Sequence, residues 1–379
     1  MQAVRDAEEE IAVAAMYQDI RLLKVSTDFS DTPLLEVQGF DSDQWVKPSV
    51  EFLSGPSFSS ICMFFGEQLN DELGVPIGLI DTAWGGTIIE AWSPAEVLQE
   101  CGVEDDGLNQ ENNHNVYLWN SMIHPLLRFS IKGALWYQGE SNTGHNREIY
   151  DCTFPSMITN WRQKWHEGTG GDTEKMFPFG FVQLAPSRNT TSPNWPVLRW
   201  KQTANYGYTP NEVLENVFMA AAIDDDVDLH PKNKRLPATR LGWAASNLVY
   251  GNTEFPLHGP LPLNVTRSQA NILTVTFSQA LKPVLIESDR FMVCCMETTE
   301  LCDSRPYEWG GVGWQGVTIT GMPTTSSVRL DVSQACGGSG EMSGLAYLWL
   351  QVPCTGEQLC PLYSDSQHSL PVAPFKIEL

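Results

Sequence analysis

Basic residues are scarce in this chain of 379: 23 Lys and Arg stand against 46 Asp and Glu, a formal net charge of -23. That balance excludes nucleic acid and an anionic membrane surface as partners, since both demand basic patches. Long apolar runs are missing too. None reaches the roughly 18 residues that cross a bilayer, so no membrane span is expected. No Cys-x-x-Cys pair exists, which argues against a zinc site, and no metal or other cofactor is expected. The start, Met1 to Glu10, is charged and acidic, so no signal peptide is visible.

What is present is enough apolar sequence, 42%, for a sizeable core and two domains. Six of the nine cysteines, Cys294, Cys295, Cys302, Cys336, Cys354 and Cys360, crowd the final stretch. An even, local cluster predicts disulfides and an oxidising compartment, secreted or lysosomal. Cys62 sits in an apolar helical stretch and reads as a buried thiol. Asn189-Thr190-Thr191 and Asn264-Val265-Thr266 are glycosylation sequons that agree with such a compartment.

Apolar runs alternate with helical patterns as far as residue 250, the signature of an α/β layer with a mostly parallel sheet. Three of these runs end abruptly in polar loops. Pro76 to Ile80 runs into Asp81-Thr82-Ala83-Trp84-Gly85-Gly86-Thr87. This Gly-rich turn lets backbone N–H groups approach a ligand. It lacks the Gly-Lys-[Ser/Thr] ending of a phosphate loop and the third Gly of a dinucleotide fingerprint. Ile131 to Trp136 opens into Tyr137-Gln138-Gly139-Glu140-Ser141-Asn142, which offers donors, acceptors and one charge within a few positions. Val217 to Ile223 runs into Asp224-Asp225-Asp226-Val227-Asp228-Leu229-His230. A histidine acting as general base needs an acidic partner, and Asp228 is the nearest, with Asp224, Asp225 and Asp226 as alternatives. The loop lacks the Gly and distal Glu of an EF-hand. In open α/β sheets the carboxyl ends of the strands are where ligands bind, and all three loops fall there. Between them, Ile61 to Leu69, Val116 to Leu127, Ile149 to Trp165, Val197 to Tyr206 and Arg235 to Val249 read as helices. Residues 251–379 carry short β-type runs punctuated by Gly, Pro and Ser, a smaller disulfide-rich β-domain after an α/β domain at 1–250.

Taken together, Trp84-Gly85-Gly86-Thr87 with Glu90-Ala91-Trp92, Trp119-Asn120 through His124-Pro125-Leu126, Trp136 through Asn142, and His230-Pro231-Lys232-Asn233-Lys234 resemble the sialate O-acetylesterase family, within the wider SGNH-type hydrolases. The resemblance covers nearly the whole chain. It implies an SGNH-like three-layer domain and a serine esterase, using no metal, that removes O-acetyl groups from sialic acids. Acetylated plant polysaccharide is an alternative substrate. On this sequence His230 is then the base, Asp228 the orienting acid, and the Gly85 or Gly86 N–H and the Gln138 side chain the oxyanion donors. Losing one such donor typically costs on the order of a hundredfold in rate. Glu140 and Asn142 support that loop or touch substrate.

One departure matters. The family's nucleophile lies in a Gly-Gln-Ser-Asn turn after the first strand, and this sequence contains no Gly-Gln-Ser-Asn. Its opening residues look like the segment just beyond that motif. The expectation is a chain without its first strand, its nucleophile and its leader, either a form of the esterase or a form that binds acetylated sugar without hydrolysing it. Ser141 lies in the support loop, and Ser57 comes directly after Pro56, so neither reads as a strand-to-helix elbow. A missing strand would also leave an unpaired sheet edge. Sequence leaves the oligomeric state open.

Overall fold

The computed structural model describes residues 1, 3–41, 44–55, 58–104, 111–187, 194–269, 271–284, 290–303, 313–338 and 341–379. Ser57 and Asn189 lie outside them. Chain order begins with α1 (Ala7–Ala14), β1 (Ile20–Lys24), α2 (Val50–Ser54), α3 (Ser60–Leu73) and β2 (Ile77–Asp81). Ser59 caps α3 by accepting the Cys62 N–H, and Gly74 ends it with φ +62°, a left-handed turn that glycine adopts without strain. Next come α4 (Ala95–Glu100), β3 (Ala134–Trp136), α5 (Tyr150–Gly168), β4 (Phe179–Gln183), α6 (Asn194–Lys201), β5 (Val217–Ala221) and α7 (Arg235–Tyr250).

The parallel strands do not form the single sheet expected. β1 pairs with β2 in parallel, from Ile20↔Ile77 to Lys24↔Asp81. β3, β4 and β5 form a separate parallel sheet in that order. Both groups lie between the same two apolar layers. On one face Leu22 and Leu79 join Val182, Phe218 and Ala220 beneath α3 and α7. On the other, Trp136, Phe179, Phe181 and Val217 pack on the Phe154, Met157, Ile158 and Trp161 face of α5. Neighbours such as Phe181 and Val182 fall on opposite faces because strand side chains alternate. β4 is buried throughout, as the centre of its sheet requires.

Two expected helices differ. Val116 to Leu127 is instead a π-helical turn, Trp119–Ile123, followed by a 3-10 turn, His124–Arg128. Pro125 has no N–H to continue an α-helical ladder, so the backbone changes register there. The helix expected from Val197 starts earlier and ends at Lys201, because Pro196 is accommodated in its first turn.

The carboxyl-terminal part comprises β6 (Pro262–Gln269), β7 (Ile272–Phe277), β8 (Leu281–Pro283), β9 (Phe291–Cys294), the short α8 (Thr299–Asp303), β10 (Trp314–Thr324), β11 (Ser327–Asp331), β12 (Gly344–Tyr347), β13 (Leu362–Ser364) and β14 (Phe375–Glu378). Seven of these strands form one antiparallel sheet, ordered β14-β12-β9-β10-β11-β7-β6. All six clustered cysteines pair there: Cys294–Cys302, Cys295–Cys336 and Cys354–Cys360. A fourth disulfide, Cys101–Cys152, ties the end of α4 to α5. Cys62 is a free thiol whose pKa burial pushes up. Asn264 is exposed on the edge strand β6.

The buried Arg199 joins the two parts. Its guanidinium donates to the Leu184 and Ala185 carbonyls at 2.7 and 2.9 Å, and to those of Leu350 and Gln351 at 2.7 and 3.0 Å. Burial pushes its pKa down to about 9.

Candidate functional site

Each polar loop leaves the carboxyl end of a parallel strand, because an apolar run that fills the sheet is followed at once by residues that cannot be buried without partners. After β2 the chain turns through Gly85 and Gly86, both exposed, with Gly86 at φ +79°. Only a glycine holds that conformation without strain. Asn113 pins the turn, donating to the Gly86 carbonyl at 3.1 Å and accepting the Ile88 N–H at 2.9 Å. Thr87 donates to the Trp84 carbonyl at 2.8 Å and accepts the Trp92 indole N–H at 2.9 Å.

The loop after β3 is bonded directly to this turn. Gln138 Nε2 donates to the Thr87 carbonyl at 3.0 Å and to Asn142 Oδ1 at 2.6 Å, while its Oε1 accepts the Tyr150 hydroxyl at 2.9 Å. Both hydrogens of that amide are thus committed inside the protein. Asn142 is fully buried; its Oδ1 also accepts the Ile89 N–H at 2.9 Å, and its Nδ2 donates to Glu90 Oε2 at 2.9 Å and to the His145 carbonyl at 3.1 Å. Gln138 and Asn142, expected near an oxyanion or substrate, therefore hold two loops together. Their anchor is Glu90, a wholly buried carboxylate that also accepts Asn146 Nδ2 at 3.1 Å. Sequence reasoning gave Glu90 no role. The available signal was a carboxylate inside the apolar run Ile88-Ile89-Glu90-Ala91-Trp92, since buried charges are seldom left unpaired.

The acidic loop after β5 sorts its four carboxylates into different environments. Asp224 is fully buried in a two-point ion pair with Arg240 of α7, at 2.5 and 2.9 Å, and also accepts the Tyr363 hydroxyl at 2.8 Å. Asp226 pairs with Arg5 at 3.0 Å. Asp228 is exposed and accepts the His230 main-chain N–H at 3.0 Å, so the bond it makes to His230 sets the loop's path. Asp225 is 1% exposed; one oxygen accepts the Asp226 N–H at 2.7 Å, and the other has no hydrogen-bond partner among the described residues. Burial raises its pKa to about 7. His230 is exposed at the rim.

Lys234 links this loop to the one after β3. Its ammonium lies 5.0 Å from the centre of the Tyr137 ring. Burial lowers its pKa, and the charges of Asp225, Glu140 and Asp228 act in the opposite direction. Glu140 shares the arrangement: burial raises its pKa, opposed by bonding to its own backbone and by Lys234. The β2 loop is thus bonded to the β3 loop, and the β3 loop meets the β5 loop around Lys234. Gly85 and Gly86 are exposed on the first of these loops and His230 on the third, and main-chain N–H groups and an imidazole are groups that acyl-ester chemistry uses. Among the described residues no group of three or more His, Cys, Asp and Glu is placed to hold a metal ion. Ser141 opens a 3-10 turn at 141–143, away from any strand-to-helix elbow.

Known proteins resemble this chain along nearly its whole length. Residues 53–228 match the family described as carbohydrate esterase, sialic acid-specific acetylesterase, and residues 263–379 match the sialate O-acetylesterase C-terminal domain. Sialate O-acetylesterase of Pongo abelii is 38% identical over 98% of this chain and 71% of that protein. The Homo sapiens sialate O-acetylesterase is 37% identical with the same coverage. Among solved structures, a carbohydrate acetylesterase from Xanthomonas citri superposes with a TM-score of 0.77 at 26% identity, covering 99% of this chain and 76% of that one.

Proposed function

Because this chain belongs to the sialate O-acetylesterase family, we propose that its loop rim is the base and oxyanion side of a site that hydrolyses O-acetyl esters on sugars, sialic acids foremost. The observation that carries this reading is the bonding of the loops into one unit through Gln138 to Thr87 and Asn142 to Ile89. Such bonding fixes the donors before substrate arrives, and preorganised donors are the largest contribution in acyl transfer. In this reading His230 takes the proton of a serine hydroxyl as that oxygen attacks the acetyl carbonyl. The Gly85 and Gly86 N–H groups stabilise the oxyanion. The imidazolium returns its proton to the sugar oxygen as the ester C–O bond breaks. Water then repeats the sequence and frees acetate. Asp228 holds the loop that carries the imidazole, and Glu140 lines the rim beside Lys234. Gln138 and Asn142 position the rim through Glu90.

The nucleophile is the part this chain does not supply, since Gly-Gln-Ser-Asn is absent from its sequence. By itself the chain binds acetylated sugar and releases little or no acetate. The four disulfides favour a lysosomal or secreted setting. Direct titration tests the reading, with O-acetylated sialic acid compared against the de-acetylated sugar and an acetylated xylo-oligosaccharide. Preference for the acetylated sialic acid is expected, and Gly86→Val should weaken it. Equal affinity for acetylated and de-acetylated sialic acid would sink the proposal.

A further inference from the structure

We propose that Asn264 carries an N-linked glycan whose first sugar lies in the groove between the two end strands of the antiparallel sheet and covers their open edges. None of the residues that line this groove belongs to the loop rim, and the site does not depend on the esterase reading.

The sequence supplies the attachment point. Asn264-Val265-Thr266 is a sequon within β6. Asn264 and Thr266 are exposed, while Val265 between them packs inward on the core of the sheet. This is the alternation of a strand, and it leaves Asn264 on the outer face. Four disulfides fit passage through the oxidising compartment in which sequons are modified.

The curvature of the sheet supplies the groove. Among the described residues β6 pairs only with β7, and β14 only with β12, so these strands are the two ends of the sheet. Yet Leu263, Asn264 and Val265 of β6 and Ile377 and Glu378 of β14 line one groove of about 630 Å³. The sheet curls far enough to bring its ends together without joining them. Each end strand keeps one side without a sheet partner.

The walls are apolar where water reaches them. The pairing register slips between Pro262 and Asn264, and Leu263 in that bulge is 66% exposed. Leu379, just past β14, is 47% exposed, and Ile377 and Met342 are only partly buried. Open strand edges beside exposed apolar side chains invite other chains, and native proteins cover or blunt such edges. An N-acetylglucosamine unit matches both features. Its ring C–H groups and acetamido methyl pack on Leu263, Ile377 and Leu379. Its amide and hydroxyls bond to open backbone groups and to Arg267 and Glu378, which line the same groove. A sugar linked to Asn264 is tethered to the wall it covers, so its local concentration far exceeds that of any free partner.

Attachment takes a lipid pyrophosphate-linked oligosaccharide as donor. The bond from Asn264 Nδ2 to the sugar C1 forms, and the C1–O bond to pyrophosphate breaks. The amide gives up one proton, and lipid pyrophosphate leaves.

The test uses the intact chain secreted from a eukaryotic host behind a cleavable leader, with Thr191→Ala removing the other sequon. Peptide mass after glycan release in heavy-oxygen water reports occupancy at Asn264. The expected result is an occupied Asn264, with amide exchange at 263–267 and 375–379 at least about tenfold slower than in Thr266→Ala and Asn264→Gln. Trimming the glycan to its first sugar should preserve the slowing. Where a variant does not fold, the secreted chain stripped of its glycan enzymatically gives the comparison. An unmodified Asn264 in the secreted protein overturns the proposal. So does an occupied Asn264 with exchange equal to that of the unglycosylated forms, since the sugar then stands in solvent. Loss of the slowing on trimming to the first sugar also overturns it.

Discussion

The α/β region and the carboxyl-terminal β region treat their backbones in opposite ways. In the antiparallel sheet the five interior strands pair on both sides, and three disulfides fasten the turns around them. In the α/β region the parallel strands of the described residues form a pair and a separate group of three, and a buried polar network gathers at the ends of those strands. One region commits its hydrogen bonds to closure. The other uses buried side chains to tie its loops together at the ends of its strands. Stability and chemistry are therefore separated along the sequence, and the two regions meet at Arg199 and at the Asp224–Tyr363 bond.

The sharpest way to break this division is to cut the joint. Arg240→Met leaves Asp224 buried without its cation and should cost about 3–5 kcal/mol, with both regions losing stability together in a denaturant titration. Two separate transitions with only one affected would contradict a shared joint.

Next in size is the single disulfide of the α/β region. Cys101 and Cys152 are 51 residues apart, and replacing both with alanine should cost about 2–4 kcal/mol. Amide exchange should rise in α4 and α5 while the antiparallel sheet stays protected.

Glu90→Ala isolates the rim from the core. It strands the Asn142 and Asn146 amides and should cost about 1–3 kcal/mol. Faster exchange should concentrate at 86–90 and 138–146, and a uniform loss across the fold would show that the two loops are not joined through this carboxylate.

The smallest effect is one of pH. Burial raises the Asp225 pKa from 3.8 to about 7, so the folded state holds that proton after the unfolded chain has released it. The favourable contribution is complete below about pH 4 and is lost as pH rises through 7. Asp225→Asn should flatten part of the decline in stability across that window. Glu67, also raised to about 7 by burial, keeps the rest. An unchanged slope would mean that Asp225 is ionised in the folded protein.

The strand-to-loop junctions after Ile80, Trp136 and Ile223 are legible to within two residues of the observed strand ends, because apolar runs there end without transition in residues that must stay wet or find partners. The helix α3 was legible from its serine cap and closing glycine, and the β-rich end from its short runs and clustered cysteines. Partner choice was not. Nothing local tells Asp224 to take Arg240 and Tyr363, or tells Asn142 to face Glu90, because those pairings are set by helices and strands that pack from far along the chain. Gln138 carries the functional groups of an oxyanion donor, and only the positions of Thr87 and Tyr150 reveal that they are occupied. The pattern over 116–127 is helical, but at Pro125 the chain changes helical register.

The central claim is the proposal that the three loops share one acetylester site. Its most direct test is acetate release from O-acetylated sialic acid by this chain as it stands and by the same chain joined at its amino end to a strand ending in Gly-Gln-Ser-Asn. The account predicts release by the joined form alone, falling on the order of a hundredfold or more with His230→Ala while its melting temperature is unchanged. Equal release by the chain as it stands would contradict it, and the nucleophile would then be sought among the serines already present.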